Sequence, residues 1–196
     1  MTEKIETVCV YCGASSNVDT KYTDAMTELA HKLAKDNKTV VYGGGSAGTM
    51  GVLAREAIYA GGKVIGIIPE HIINTEGQEQ EITELHVVDS MHTRKMMMVD
   101  KSDAFVAMPG GLGTLDELCE ILTWKYLHLH EKPVILGNMH GYWEPYLDML
   151  KNMVEVGYSP KAHLDMFEVA NTPDEVIGLL NKLHAEDDVQ PKLEQM

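Results

Sequence analysis

The residues from Pro109 to Glu117 constrain the fold of this chain more than any other stretch of its sequence. They read Pro-Gly-Gly-Leu-Gly-Thr-Leu-Asp-Glu and follow a short apolar run, 104–108, which predicts a buried strand. Apolar residues at helical spacing come next, at Leu115, Leu118 and Ile121. A strand, a glycine turn and a helix are thus joined with almost no intervening chain, as in one unit of a parallel α/β sheet.

The three glycines of this stretch predict a ligand site. Because glycine has no Cβ, Gly110, Gly111 and Gly113 let a ligand approach the backbone closely. The N-terminus of the following helix offers unpaired N–H groups and a partial positive charge, which together suit an anion.

Thr114 and Glu117 also have a purely structural interpretation. Their spacing is that of a capping box, in which the two side chains satisfy each other's backbone N–H groups and Glu117 lies in the first helical turn. Thr172-Pro-Asp-Glu175 has the same cap without preceding glycines, and we interpret that second cap as structural. Capping explains Thr114 and Glu117 but not the glycines, so we favour a ligand role for the whole stretch.

Strand and helix patterns alternate along the chain. Strands are predicted at 7–11, 39–42, 63–68, 85–88, 104–108, 133–137 and 166–169, and helices at 20–36, 92–101, 142–156 and 172–184. Two more helices are expected to begin within the glycine-rich loops at 43–51 and 109–117, the first of them running to about residue 60. The alternation predicts one α/β domain over 1–185, a Rossmann-like doubly wound parallel sheet with helices on both faces, and a frayed polar tail at 186–196. Ligands bind such sheets at the carboxyl ends of the strands, where both loops lie.

Composition excludes several classes of partner. The formal net charge of −14 and the pI of about 4.9 argue against nucleic acid or an anionic membrane, whose phosphates require a basic surface. The sequence has no apolar run of about 18 residues and no signal-peptide core, so we expect a cytoplasmic protein. Cys9 and Cys12 form a C-x-x-C, but Cys9 falls in an apolar strand and no second pair completes a zinc site. We therefore expect structural thiols, no metal and no cofactor.

The loop at 43–51 matches the dinucleotide-binding pattern G-x-G-x-x-G, with Glu70 at the distance of a ribose-binding acid. The match is weak, because Pro69 disturbs the strand end that should carry this acid and the chain lacks room for a separate substrate domain. We do not favour NAD. Gly45 of this loop and Ser15 of the turn after the first strand are kept as candidate substrate contacts.

Two basic residues begin the helix predicted at 92–101. Arg94 and Lys95 lie in its first turn, where the helix dipole disfavours cations, so an anion or a carboxylate is expected to meet them. His128 and His130 alternate in a polar stretch without a partner at metal-ligand spacing, which favours a surface role over metal binding.

Four segments together resemble the LONELY GUY family, long labelled lysine decarboxylase-like. The similarity spans roughly residues 8–180. The segments are Pro109 to Glu117, which resembles the family's PGGxGTxxE signature, Val41-Tyr-Gly-Gly-Gly-Ser-Ala-Gly-Thr-Met-Gly51, Met91-His-Thr-Arg-Lys95 and Tyr11-Cys-Gly-Ala-Ser-Ser16.

The resemblance implies a cytokinin riboside 5'-monophosphate phosphoribohydrolase, which cleaves N6-modified adenosine monophosphates to the free base and ribose 5-phosphate. It implies Arg94 and Glu117 as the catalytic pair and a homodimer, with hexamers in some members. It also implies a set of substrate contacts, namely Gly110, Gly111, Gly113, Thr114, Lys95, Glu76 and Thr123.

Two other functions stay open on the sequence. One is a nucleosidase acting on unmodified AMP or other purine nucleotides, since the base pocket is not visible in a motif. The other is a nucleotide or cofactor carrier without catalysis, although a carrier has no need of the Arg94 and Glu117 pair. Lysine decarboxylation is disfavoured, because it usually requires pyridoxal phosphate on a desolvated lysine. The acid that protonates the leaving purine is open between a side chain such as Asp116 and solvent.

Overall fold

A computed structural model describes residues 5–76 and 81–186 of the chain, without the side chains of 74–76 and 184–186. The tail predicted to fray lies outside the described residues from position 187 onward. The strands are β1 (Thr7–Tyr11), β2 (Thr39–Tyr42), β3 (Lys63–Pro69), β4 (Glu84–Val88), β5 (Ala104–Ala107), β6 (Val134–Gly137) and β7 (Glu168–Ala170). The helices are α1 (Thr20–Lys35), α2 (Gly48–Tyr59), α3 (Glu70–Glu76), α4 (Met91–Asp100), α5 (Leu112–Tyr126), α6 (Glu144–Glu155) and α7 (Pro173–Glu186), with 3-10 turns at Met139–Gly141 and Lys161–Asp165.

The strands form one parallel sheet in the order β4-β3-β2-β1-β5-β6-β7. The strand order runs outward in one direction from β1 to β4 and in the other direction from β5 to β7. The two halves meet where β1 pairs with β5, with Val8 opposite Ala104. This junction is the topological switch point, at whose carboxyl edge a ligand crevice opens in such sheets.

Both faces of the sheet are covered, because side chains alternate along each strand. Val8 and Val10 of β1 pack in a core with α1, α2 and α7, whereas Cys9 and Tyr11 pack on the opposite side with α4, α5 and α6. The predicted doubly wound parallel fold is confirmed. No helix within residues 5–76 and 81–186 is long and apolar enough to cross a bilayer.

The C-x-x-C is accounted for by packing. Cys9 and Cys12 are buried and unbridged. Burial, and then the charge of Glu117, raise the pKa of the Cys9 thiol well above its usual range. A protonated thiol inside a strand packs as a small apolar side chain, in keeping with the structural interpretation.

Two local features differ from the expectations. The helix α3 was not predicted, because its seven residues follow Pro69 directly and are too few to show a helical period. Thr172 does cap α7, since its Oγ1 accepts from the N–H of Glu175 at 3.2 Å. The Glu175 carboxylate accepts from the N–H of Asn171, one residue before the position expected of a capping box.

Candidate active site

A cavity of about 560 Å³ opens at the carboxyl edge of the sheet, beside the junction of β1 and β5. The turn after β1 and the glycine loop after β5 supply much of its wall, and the segment between β6 and α6 adds Tyr142. The predicted site residues that line it are Ser15, Arg94, Gly110, Gly111, Gly113, Thr114 and Glu117. Residues far apart in the sequence therefore meet at the edge where the topology predicts a ligand.

The glycine loop forms the start of α5, but not through the predicted capping box. The helix begins at Leu112 with Gly111 as its N-cap, so Thr114 is the third helical residue and Glu117 the sixth. The capping-box interpretation and the placing of Glu117 in the first turn are therefore wrong. The helix begins three residues before the predicted boundary, and its first N–H groups adjoin the cavity without a side-chain cap.

Different reasons account for the three glycines. A Cβ at Gly110 would lie 2.1 Å from Thr114 Oγ1, so close packing requires glycine there. A Cβ at Gly111 or Gly113 would meet none of the described atoms within 4 Å, and Gly111 has an ordinary φ of −92°. Neither packing nor backbone strain calls for glycine at these two positions, which leaves the space to an occupant of the cavity.

Arg94 of α4 and Glu117 of α5 meet at the cavity wall. Arg94 Nη2 lies 3.7 Å from Glu117 Oε1, and the two residues are only 7% and 8% exposed. Arg94 Nε is buried and has no hydrogen-bond partner in the part of the chain that the structure describes. A buried ion pair with an unsatisfied donor costs stability, so its presence beside a cavity favours a functional role.

A glycine of the second loop, Gly43, leaves open the space that the Arg94 guanidinium occupies. A Cβ at Gly43 would fall 1.9 Å from Arg94 Nη2, so any larger residue would displace the guanidinium. Gly43 itself is not among the described residues that line the cavity. The Cβ would also lie 3.1 Å from Sδ of Met50, a residue of the wall, but its closest approach is to Arg94, so Gly43 acts on the site mainly through Arg94.

Cys12 lies in the cavity wall as a neutral thiol. Burial, followed by the charge of Glu117, raises its pKa to about 12, and a hydrogen bond from Thr49 and the charge of Arg94 offset only part of this. The thiol stays protonated at neutral pH, which disfavours Cys12 as a nucleophile.

Lys95 does not point into the cavity. Its Nζ lies 2.6 Å from Asp116 Oδ2 and 3.4 Å from Glu120 Oε2, so it joins α4 to α5. Partial burial lowers the pKa of Lys95, but the hydrogen bond to Asp116 and the two carboxylate charges outweigh that effect and raise it overall. Of this group, Asp116 is the residue that lines the cavity.

Two other predicted contacts, Gly45 and Thr123, are not among the described residues of the cavity wall. Gly45 is buried in its loop, and Thr123 is exposed on α5, where its Oγ1 donates to the carbonyl of Cys119. Glu76 ends α3, and its side chain lies outside the described part of the structure.

Packing also accounts for glycines of the loop that resembles a dinucleotide fingerprint. Gly48 has a φ of +59°, and a Cβ there would lie 2.7 Å from the carbonyl oxygens of Gly13 and Ser15. A Cβ at Gly51 would lie 2.0 Å from the carbonyl oxygen of Ser46. The loop packs against the turn after β1, so these glycines need no dinucleotide to explain them.

Sequence reasoning missed two aromatic residues of the cavity, Tyr22 of α1 and Tyr142 before α6. Their rings pack edge to face with centroids 5.6 Å apart, and both line the cavity. Neither residue belongs to a glycine motif, and their approach depends on the pairing of distant elements. Apolar side chains complete this part of the wall, namely Val18, Met50, Ile72 and Met91.

No group of three or more His, Cys, Asp or Glu side chains among the described residues is arranged to hold a metal ion. The site instead combines helix N–H groups, a buried arginine and a buried carboxylate. Fold and cavity together define a class of protein: a doubly wound parallel α/β protein with an anion-binding glycine loop and an Arg–Glu pair at the switch point.

The chain belongs to the LONELY GUY family. The family model described as "Possible lysine decarboxylase" matches residues 50–180. A probable cytokinin riboside 5'-monophosphate phosphoribohydrolase of Oryza sativa subsp. japonica is 42% identical over 176 residues, covering 89% of this chain and 72% of that protein. A cytokinin riboside 5'-monophosphate phosphoribohydrolase of Arabidopsis thaliana is 39% identical over 180 residues, covering 91% and 83%.

Solved structures share the fold at lower identity. The Moco carrier protein from Chlamydomonas reinhardtii superposes with a TM-score of 0.70 at 21% identity, covering 94% of this chain and 99% of that chain. The molybdenum cofactor binding protein from Rippkaea orientalis gives a TM-score of 0.68 at 22% identity, covering 93% and 99%. These likenesses support the fold alone.

Proposed function

We propose that this chain is a phosphoribohydrolase, which hydrolyses the N-glycosidic bond of N6-modified adenosine 5'-monophosphates to the free base and ribose 5-phosphate. The observation that carries the proposal is the placing of the buried Arg94–Glu117 pair and the unobstructed Gly111 and Gly113 in one cavity. The names of the relatives at about 40% identity support the same reaction.

The glycine loop is the proposed phosphate cradle. The backbone around Gly110, Gly111 and Gly113, together with Thr114, holds the 5'-phosphate at the N-terminus of α5. The phosphate does not react, but its binding fixes the ribose in the cavity. Orientation of this kind can supply up to about 7–11 kcal/mol of a barrier.

Glu117 is the proposed catalytic carboxylate. Cleavage of the glycosidic bond passes through an oxocarbenium-like transition state, in which positive charge develops on the ribose. A buried carboxylate one turn beyond the cradle stabilises that charge and orients the attacking water. Arg94 pairs with Glu117 and orients its carboxylate. Asp116 also lines the cavity and is the side-chain candidate for protonating the leaving base.

The apolar part of the wall suits an N6-substituted purine. Val18, Met50, Ile72 and Met91 offer apolar surface, and Tyr22 adds an aromatic ring. A cavity of about 560 Å³ lies within the usual range of about 300–1,000 Å³ for small-molecule sites. We propose that this wall receives the base and its substituent.

The decarboxylase label of the family model is not supported by the cavity. Pyridoxal phosphate chemistry requires a lysine that can form a Schiff base. No lysine is among the described residues of the cavity wall, and the nearby Lys95 is paired with two carboxylates.

Release of ribose 5-phosphate from N6-isopentenyl-AMP, in buffer containing a chelator, tests the reaction. We expect Glu117→Gln to abolish turnover while nucleotide binding is retained, because the cradle remains intact. Glu120→Gln is the matched control, since Glu120 lies on the same helix and contacts Lys95. Adenosine should react far more slowly than AMP, because it lacks the phosphate.

Two results would contradict the assignment. Loss of nucleotide binding together with turnover in Glu117→Gln would indicate that the residue serves the fold. Equal rates of hydrolysis of adenosine and AMP would refute the assignment of the glycine loop as a phosphate-binding cradle. The ratio of rates for AMP and its isopentenyl derivative measures the base preference separately.

A further inference from the structure

The segment between β6 and α6 braces the glycine loop from outside the family motifs. Tyr142 lies in this segment, and its hydroxyl donates a hydrogen bond to the carbonyl of Gly110. The next residue, Trp143, donates from Nε1 to the carbonyl of Ala107 at 3.0 Å. Neighbouring side chains thus bind carbonyls at both ends of the strand-to-helix turn that carries the proposed phosphate cradle.

Tyr142 is itself held firmly. Asn138 is 2% exposed, and its Oδ1 accepts from the N–H of Trp143 at 2.7 Å. The turn between them places His140 at a φ of +56° and Gly141 at +73°, so the chain reverses tightly before Tyr142. The Tyr142 ring packs edge to face on Tyr22. Its hydroxyl therefore has a defined position over the loop.

The hydrogen bond from Tyr142 holds the peptide group between Gly110 and Gly111, which is otherwise free to rotate. Gly110 and Gly111 are consecutive glycines, and backbone torsions on both sides of their shared peptide are permissive. A peptide group is planar and trans, so its C=O and N–H point in opposite directions. Holding the Gly110 carbonyl therefore fixes the direction of the Gly111 N–H.

We propose that Tyr142 is a positioning residue for nucleotide 5'-phosphates: its hydroxyl holds the Gly110–Gly111 peptide and so preorganises the Gly111 N–H that binds the phosphate. The inference rests on the proposed function and adds a residue outside the glycine loop to it. Preorganised N–H groups bind an anion without reorganising, which is what favours their use in enzyme sites.

Tyr142→Phe tests the proposal, because it removes the hydroxyl and keeps the ring against Tyr22. We expect the Kd for ribose 5-phosphate, measured by titration calorimetry, to rise about tenfold, because binding must then orient a Gly111 N–H that the hydroxyl no longer holds. KM for N6-isopentenyl-AMP should rise similarly with little change in kcat, and the slow hydrolysis of the riboside without phosphate should be unchanged. Tm should stay within about 2 °C of wild type.

Tyr146→Phe is the matched control. Tyr146 is a buried tyrosine of α6 whose hydroxyl lies 3.9 Å from Cys119 Sγ, away from the loop. We expect its Kd and KM to equal those of wild type.

The outcomes separate this proposal from the function on which it rests. Wild-type protein that fails to bind ribose 5-phosphate would overturn the cradle and the proposed function together. Wild-type binding with an equal Kd in Tyr142→Phe would overturn the role of Tyr142 and leave the function standing. Equal losses for nucleotide and riboside would also overturn it, because the hydroxyl would then act on the sugar or the base.

Discussion

Gly113 is glycine although neither the backbone nor the described neighbours demand it. Its position is the second residue of α5, where glycine is a poor helix former. We expect Gly113→Ala to stabilise the fold by about 0.5–1 kcal/mol and to weaken nucleotide binding, because the new methyl group occupies the proposed cradle. Urea denaturation and calorimetric titration with AMP measure the two effects.

Gly178 provides the matched control for that substitution. It lies exposed in α7, and a Cβ there would also meet no atom of the described chain within 4 Å. Gly178→Ala should stabilise the fold by a similar amount and leave AMP binding unchanged. If Gly113→Ala binds AMP as tightly as Gly178→Ala does, then the open space at Gly113 is not the phosphate site.

Gly43 offers a way to disturb Arg94 without changing a residue of the cavity wall. We expect Gly43→Ala to lower kcat/KM by about 100-fold, since a 1 Å misplacement of a catalytic group can cost that much. The fold should tolerate the change, because the obstructing atoms belong to the ends of the Arg94 and Met50 side chains and not to the backbone. The measurement is steady-state kinetics of Gly43→Ala, Arg94→Ala and the double variant.

The double variant should be no slower than Arg94→Ala alone, because both changes remove the same interaction. Independent, multiplying losses would show instead that Gly43 serves the site by a route other than Arg94.

At this scale the sequence shows residue types but not contacts. Arg94 and Glu117 were recognised because each belongs to a short motif, whereas their 3.7 Å separation depends on how α4 meets α5. Lys95 and Tyr142 show in opposite ways that membership of a motif does not determine contact with the cavity. Lys95 belongs to a motif and is held by Asp116, away from the cavity wall, while Tyr142 belongs to none and reaches the loop.

At the scale of elements, all seven strands were anticipated, with boundaries within about two residues. The positions of the strands can be predicted locally, because apolar runs alternate with turn residues along the chain. The start of α5 was misplaced because the Thr114 and Glu117 spacing mimics a cap, while the tertiary structure continues the helix back to Leu112. The helix α3 escaped because a seven-residue helix has too few turns to show a period.

His130 connects the end of α5 to the sheet and gives a pH prediction. Its Nε2 lies 2.9 Å from the carbonyl oxygen of Ile121, and its Nδ1 accepts from the N–H of Lys132 at 3.1 Å, which together require the neutral ring. Burial lowers the pKa of His130, despite the opposing hydrogen bond to Ile121. Below about pH 6.5 the unfolded chain therefore binds more protons than the folded chain.

Stability should accordingly fall as the pH drops from about 6.5 through the folded-state pKa of His130. His130→Gln should show a shallower fall in the urea midpoint between pH 7.5 and 5 than wild type does. Parallel curves for wild type and His130→Gln would refute the assignment.

At the scale of the whole molecule, we propose a homodimer that uses the C-terminal end of α5. Tyr126, Leu127 and Leu129 are 47%, 57% and 68% exposed and form an apolar cluster within four positions. Light scattering after size exclusion should give twice the chain mass of 21.7 kDa. Leu127→Asp combined with Leu129→Asp should give the monomer mass, because charges would then enter the buried interface.

Tyr59→Asp is the control for the dimer. Tyr59 is 85% exposed at the end of α2, which packs on the other face of the sheet from α5. The Tyr59→Asp variant should keep the mass of the dimer. A dimer that persists in the double aspartate variant would place the interface elsewhere.

The pairing of β1 with β5 also determines when the cavity can form during translation. Val8 can pair with Ala104 only after Ala104 has emerged from the ribosome. The hydrogen bond from Tyr142 to the Gly110 carbonyl can form only later still. Strands β1 to β4 can associate among themselves beforehand, but this half carries neither the glycine loop nor Tyr142. Contacts so distant along the chain form slowly. A nascent chain therefore gains a complete pocket only after Tyr142 has been made.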